Sequence, residues 1–217
     1  MRIVIAGDGE TGTHLARMLS VENQDIVLMG SDKEHLAELE AVSNFMTFEG
    51  NPMSFRDLMR CGVDVADIFV AVTPDETVNI IACQMAKDCG ARRCVARVDN
   101  PEVATPRAEE MWRRNGIEQI IFPEKLAAIE TRRFIEHNWV SQWLQFHGGE
   151  LLVVGVRMES TGSLCGMFLR DIPNNPRLFH VSAIKRGSDI IIPRGDDRLL
   201  EGDTIYFSVL QANIDLL

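Results

Sequence analysis

The chain begins MRIVIAGDGETGTHLARML, and this stretch constrains the fold more tightly than any other. Residues 2–6 (RIVIA) are an apolar run of strand length, glycines follow at Gly7, Gly9 and Gly12, and residues 11–20 place Leu15, Met18 and Leu19 on one face of a helix. Glycines mark turns in every fold, so the GxGxxG spacing alone says little. Set between a strand and a helix, it reads as a turn that grips phosphate. Gly7 permits the tight turn, Gly9 lets backbone approach a pyrophosphate, and Gly12 lets helix and strand pack closely.

The alternation continues. Strands are expected at 25–29 (DIVLM), 45–49 (FMTFE), 67–72 (DIFVAV), 93–98 (RCVARV) and 118–122 (EQIIF). Helices fall between them. One opens at Asp32, one covers 55–61 behind an N-cap at Ser54, and a long one follows Thr73 or Asp75. Another begins after Thr105 with Pro106 at its first position. Near-continuous apolar strands separated by helices require a parallel sheet covered on both faces. Six of them in two βαβαβ halves predict an α/β, Rossmann-type doubly wound sheet over residues 1–122.

Pro123 ends that pattern, and residues 124–138 read as a single crossover helix within a linker, 123–140. From 141 to 217 the period changes. Short strands are expected at 142–146, 151–158, 180–186, 189–192 and 204–210, with a short helix near 164–171. This is a separate, small β-rich (α+β) domain.

Composition excludes several classes. The formal net charge of −10 argues against a broad nucleic-acid surface, which needs clustered Lys and Arg, but not against one small anion at a helix terminus. The opening apolar run is too short for a signal peptide, and no stretch approaches the roughly 18 apolar residues that span a bilayer. The five cysteines form no CxxC pair and the five histidines no HxxxH or HxH pair, so reduced cytoplasmic thiols are expected and no metal site.

The end of the second strand breaks the usual pattern. A carboxylate that holds a ribose belongs there, and the chain has Gly30. Asp32 can supply one from the start of the next helix, or can serve as that helix's N-cap. Ser31 with Lys33 can instead meet a 2′-phosphate. The residues leave the nucleotide open.

Three further stretches carry a resemblance: DIFVAVTPDETVN (67–79), VARVDNPE (95–102) and IKRGSDIIIPRGDDRLLEGDTIYF (184–207). With the opening segment they resemble the KTN/RCK family, and within it the N-terminal half of TrkA-type regulatory subunits of bacterial Trk potassium uptake systems. The resemblance covers nearly the whole chain, with a KTN-type domain first and a TrkA-C (RCK-C) domain last. In the latter the pattern includes Ile184, Arg186, Ile191, Ile192, Pro193, Gly195, Leu199, Gly202 and Asp203.

The resemblance implies an adenine nucleotide, NAD(H) or ATP/ADP, across the strand ends. Gly7, Asp8, Gly9, Glu10, Thr11 and Gly12 would surround its phosphates and Asn51 would lie beside the adenine. Thr73 and Asp75 would line the mouth after the fourth strand, and Arg97 would face phosphate or ribose. It also implies a cytoplasmic subunit, peripheral to the inner membrane face, acting on a TrkH-type membrane potassium transport subunit as a homo-oligomer (a dimer or higher ring). Two family positions differ: Gly30 stands where an Asp is usual, and Asn51 follows Gly50 where Asp is common. The structural alternatives are an ion pair for Arg97, the lesser reading of that residue, and a match to the helix dipole for Asp75 with Glu76.

Dehydrogenase chemistry needs a proton donor or acceptor beside the nicotinamide. The sole tyrosine, Tyr206, lies in the last strand, no Tyr-x-x-x-Lys exists, and His14 and His35 fall inside helices. Ligand sensing without catalysis is therefore the expectation, with a small NAD(P)-dependent oxidoreductase as the alternative.

Overall fold

The computed structural model describes residues 1–22, 24–172 and 179–217. It divides into two compact units, Met1–Ala128 and Ile129–Leu217.

The first unit is a six-stranded parallel sheet. Its strands are β1 (Arg2–Ala6), β2 (Asp25–Gly30), β3 (Met46–Glu49), β4 (Ile68–Ala71), β5 (Arg93–Arg97) and β6 (Gln119–Ile121), in the order β3-β2-β1-β4-β5-β6. β1 pairs in parallel with β2 on one side and β4 on the other, so strand order reverses at the gap between the carboxyl ends of β1 and β4. Ile3, Val4, Ile5 and Ala6 are all buried, because side chains on both faces of a central parallel strand meet helices. One core gathers Val4, Phe69, Cys83, Cys94 and Ala96, and a second, on the opposite face, gathers Ile3, Ile5, Leu28, Leu36 and Val70. The doubly wound expectation holds.

Helices α1 (Glu10–Ser20), α2 (Lys33–Val42), α3 (Phe55–Cys61), α4 (Glu76–Cys89) and α5 (Pro106–Arg114) cover the sheet. Ser54, Asp75 and Thr105 cap α3, α4 and α5, and Asp32 caps α2. In each case a side-chain oxygen satisfies first-turn N–H groups that have no partner within the helix.

The helix α6 (Pro123–Glu136) crosses the division between the units. The second unit holds an antiparallel sheet in the order β10-β9-β11-β8-β7, made of β7 (Val140–Phe146), β8 (Leu151–Arg157), β9 (Phe179–Arg186), β10 (Asp189–Ile191) and β11 (Thr204–Leu210). Strict alternation in β11 turns Ile205, Phe207 and Val209 into the core. The helix expected near 164–171 is not formed. Gly166 takes a φ of +82° and donates to the Leu199 carbonyl, and only Leu169–Asp171 makes a single 3-10 turn. A left-handed residue stops α-helix propagation there.

The signature residues of this unit have a structural reason. Asp203, with 1% exposure, accepts from Arg186 Nε (2.9 Å) and Nη2 (2.7 Å) and from the Leu200 N–H (2.9 Å). The guanidinium holds the Asp203 carboxyl below its ordinary range, outweighing the burial that opposes it. Gly202 just before it has a φ of +84°, a turn that favours glycine.

Candidate nucleotide site

The glycine turn sits at the strand-order reversal. Gly7 takes a φ of +125°, and a Cβ there would lie 2.8 Å from the Val72 carbonyl carbon. A Cβ on Gly12 would lie 1.8 Å from the Gly7 oxygen. Those two glycines close the turn onto β4 and α1. Gly9 differs: a Cβ there meets nothing within 4 Å. Gly9 is also the N-cap of α1 and offers no side-chain acceptor. The first-turn amides of α1 are left without the carboxylate or hydroxyl that each of α2 to α5 receives. Open N–H groups at the positive end of a helix dipole, beside open space, suit a phosphate.

In front of this turn lies a cavity of about 660 Å³. Gly7, Asp8 and Gly30 line it, as do Ser31, Asn51, Thr73 and Asp75, together with Met29, Met53 and Val78. Its size and mixed apolar and polar walls suit a nucleotide. A second cavity of about 640 Å³ flanks the other side of the turn, lined by Asp8, Gly9, Glu10, Thr13, His14, Arg17, His35 and Leu39. Thr11, Gly12, Asp32, Lys33 and Arg97 line neither cavity.

Several of these side chains are engaged locally, inside the cavity or outside it. The Asp32 carboxylate accepts from the Glu34 and His35 N–H groups, and the Asp75 carboxylate from those of Thr77 and Val78. Both acids are engaged as helix caps. Arg97 pairs with Asp99 at 2.9 Å. The Asn51 side chain accepts from the Met53 N–H and shapes the turn after β3.

Two contributions escaped the sequence reading. Asn79, 1% exposed, ties the β4 exit to the β5 end: its Nδ2 donates to the carbonyls of Thr73 and Arg97, and its Oδ1 accepts from Thr73. The signal was present, since an asparagine one turn into a helix satisfies few local rules. The second is His35. Although it lies inside α2, its Nε2 is 3.1 Å from the Asp8 carbonyl oxygen, and it lines the flanking cavity with His14.

The Asp8 side chain resolves the oddity at Gly30. Its Oδ2 accepts from the N–H groups of Ser31 and Asp32, both at 3.1 Å. A Cβ on Gly30 would lie 2.2 Å from that same oxygen. The place a carboxylate would reach from the end of β2 is held by a carboxylate from the glycine turn. Among the described residues, no cluster of His, Cys, Asp and Glu forms a metal site and no helix is long and apolar enough to cross a membrane.

Strand order, glycine turn and cavity together define a Rossmann-type nucleotide-binding domain, here followed in the chain by a small antiparallel domain. The TrkA-N domain model matches residues 3–123 and the TrkA-C domain model residues 153–217, and the chain belongs to the TrkA-N family. A Trk system potassium uptake protein TrkA homolog from Archaeoglobus fulgidus is 32% identical over 221 residues, covering 100% of this chain and 49% of the relative. The Trk system potassium uptake protein TrkA of Halomonas elongata is 32% identical over 219 residues, covering 99% of this chain and 48% of the relative. The chain spans about half the length of these curated relatives. In fold it is similar to the GsuK channel bound to NAD, with a TM-score of 0.64 at 17% identity, covering 98% of this chain and 38% of that one.

Proposed function

We propose that this chain is a regulatory module of a potassium uptake system that binds an adenine nucleotide, NAD(H) or ATP/ADP, and transmits its occupancy to a membrane partner. The observation that carries the reading is the side-chain-free amino end of α1 at Gly9, which opens on the cavity of about 640 Å³ beside the glycine turn, while Gly7 and Asp8 of the same turn line the cavity of about 660 Å³ at the strand-order reversal. TrkA-named relatives support the potassium context, and the NAD bound to the GsuK channel supports the dinucleotide.

The lining favours binding over chemistry. Among the described residues, the larger cavity holds no histidine, lysine or tyrosine to exchange a proton beside a nicotinamide. What it does hold is loops from four different strand ends, residues 7–8, 30–31, 49–53 and 73–75. A ligand touching all four gains more in one arrangement of the loops than in another, and that difference in affinity is what drives a conformational shift. The partner is a TrkH-type membrane subunit, the module is cytoplasmic and bound at the membrane through it, and the working form is a homo-oligomer. Phe134 and Ile135 of α6, both exposed, are available to such assembly.

Titration with NADH and with ATP, followed by calorimetry while NADH absorbance is monitored over a panel of carbonyl compounds, tests the proposal. Saturable binding with constant absorbance is expected. Sustained NADH oxidation would favour the oxidoreductase alternative, and no binding of either nucleotide would leave the site without its ligand.

A further inference from the structure

An aspartate inside a phosphate-gripping turn is an unexpected choice, because its charge opposes the ligand's. Asp8 nevertheless lines both cavities beside the turn. Its carboxylate leans away from the α1 amides and onto the backbone at the end of β2, accepting from Ser31 and Asp32 through Oδ2. Among the described residues, Oδ1 has no hydrogen-bond partner. Gly30 is the counterpart of this placement: an added Cβ would meet Asp8 Oδ2 at 2.2 Å, Cγ at 2.4 Å and Cβ at 2.5 Å. A side chain at residue 30 and the present side chain at residue 8 exclude each other. The carboxylate bonded to the end of β2 enters from the first strand's turn, not from the second strand's end; Glu49, the register neighbour of Gly30 on β3, and Asp57 line the same cavity.

We infer that Asp8 is the ribose-recognising, specificity-determining residue of this site, accepting the 2′,3′-hydroxyls of a nucleotide in place of the carboxylate that Gly30 lacks. The inference rests on the nucleotide reading above. Two backbone N–H donors fix the carboxylate in one orientation, so the free oxygen is preorganised as an acceptor for hydroxyl donors. The same negative charge repels a 2′-phosphate. Lys33, which lines neither cavity, does not offset that repulsion. The ligand class is therefore a nucleotide with a free vicinal diol on its adenosine ribose. NAD(H) and ATP/ADP qualify, and 2′-phosphorylated dinucleotides do not.

The test compares NADH with NADPH, and ATP with 2′-deoxy-ATP, by fluorescence or calorimetric titration of the full chain and two variants. Asp8→Asn keeps the shape and removes the charge. Asp8→Gly/Gly30→Asp moves the carboxylate to β2 and clears the side chain that it would strike. Thermal unfolding checks that each variant folds. The wild-type chain should prefer NADH over NADPH and ATP over 2′-deoxy-ATP by about ten-fold or more, the scale of one charge-assisted hydrogen bond. Asp8→Asn should weaken the diol ligands by about ten- to a hundred-fold and shrink both preferences. The exchange variant should recover them. Equal affinity of NADH and NADPH in the wild type, or an Asp8→Asn chain whose preferences are unchanged, would overturn the role of Asp8 while leaving the nucleotide site standing. A wild-type chain that binds none of the four would overturn the site and this inference together.

Discussion

Thr73 and Asn79 are joined by three hydrogen bonds: the Thr73 N–H (2.8 Å) and hydroxyl (2.7 Å) both donate to Asn79 Oδ1, and Asn79 Nδ2 donates to the Thr73 carbonyl (2.9 Å). One buried side chain thereby sets the loop that closes the cavity after β4. Replacing it with leucine fills the volume but orphans the Thr73 N–H and the Arg97 carbonyl. Asn79→Leu should cost about 2–3 kcal/mol, because several buried polar groups lose their partners at once. Urea unfolding at an unchanged m-value would show this as a lower midpoint, and a change under about 0.5 kcal/mol would contradict the role given to Asn79.

Gly9 and Gly12 make a matched pair of tests. Alanine at Gly12 would drive a methyl to within 1.8 Å of the Gly7 oxygen, so Gly12→Ala should destabilise the fold by about 1–3 kcal/mol through forced backbone movement. Gly9 has ordinary extended geometry (φ −72°, ψ −176°) and room for a methyl. Gly9→Ala should leave the melting temperature nearly unchanged yet lower nucleotide affinity by about ten-fold or more, because the added methyl stands where phosphate is to sit. Calorimetry and thermal unfolding on the two variants separate the effects.

In the second unit, the Asp203 carboxyl is held below its ordinary range by Arg186. A depressed folded value means that stability is fully present above the unfolded value of about 4 and is lost as pH falls below it through the folded value. The urea midpoint of this unit should drop more steeply on acidification in the wild-type chain than in Asp203→Asn. At neutral pH that variant should be less stable by about 1.5–3 kcal/mol, the scale of hydrogen bonds to a charged group. Hydrogen exchange in β9 and β11 would report the unit separately.

Burial pushes the Cys61 thiol up to about 12, against a smaller opposing pull from Arg2. Thiolate is the reactive form, so in the folded chain near neutral pH this cysteine should resist iodoacetamide. Half-buried Cys165 should be labelled first, and Cys61 only in denaturant, as mapped by mass spectrometry.

Most of the fold was legible because the signals were local. The apolar runs, the Ser54 and Thr105 caps and the glycine spacing each act within a few residues, and every strand appears within a residue or two of its expected position. The short helix near 164–171 failed because a backbone conformation at Gly166 and a long-range bond to Leu199 decided it, and neither is written locally. The candidate site was legible as a region and less so by residue. Asp32 and Asp75 occupy positions where capping and ligand contact look identical in sequence, and Arg97 stands two residues from the acid it pairs with. The turn of the Asp8 carboxylate toward Gly30 depends on two strands meeting side by side in a register 23 residues apart in the chain.

The central claim is that the first-turn amides of α1 hold a nucleotide's phosphates. Amide proton and nitrogen shifts recorded during titration with NADH measure it directly. The Gly9, Glu10, Thr11 and Gly12 amide protons should move downfield together and saturate with one affinity, as N–H groups taken up by an anion do. A titration in which NADH leaves residues 9–12 unmoved, or shifts only amides elsewhere, would contradict the claim.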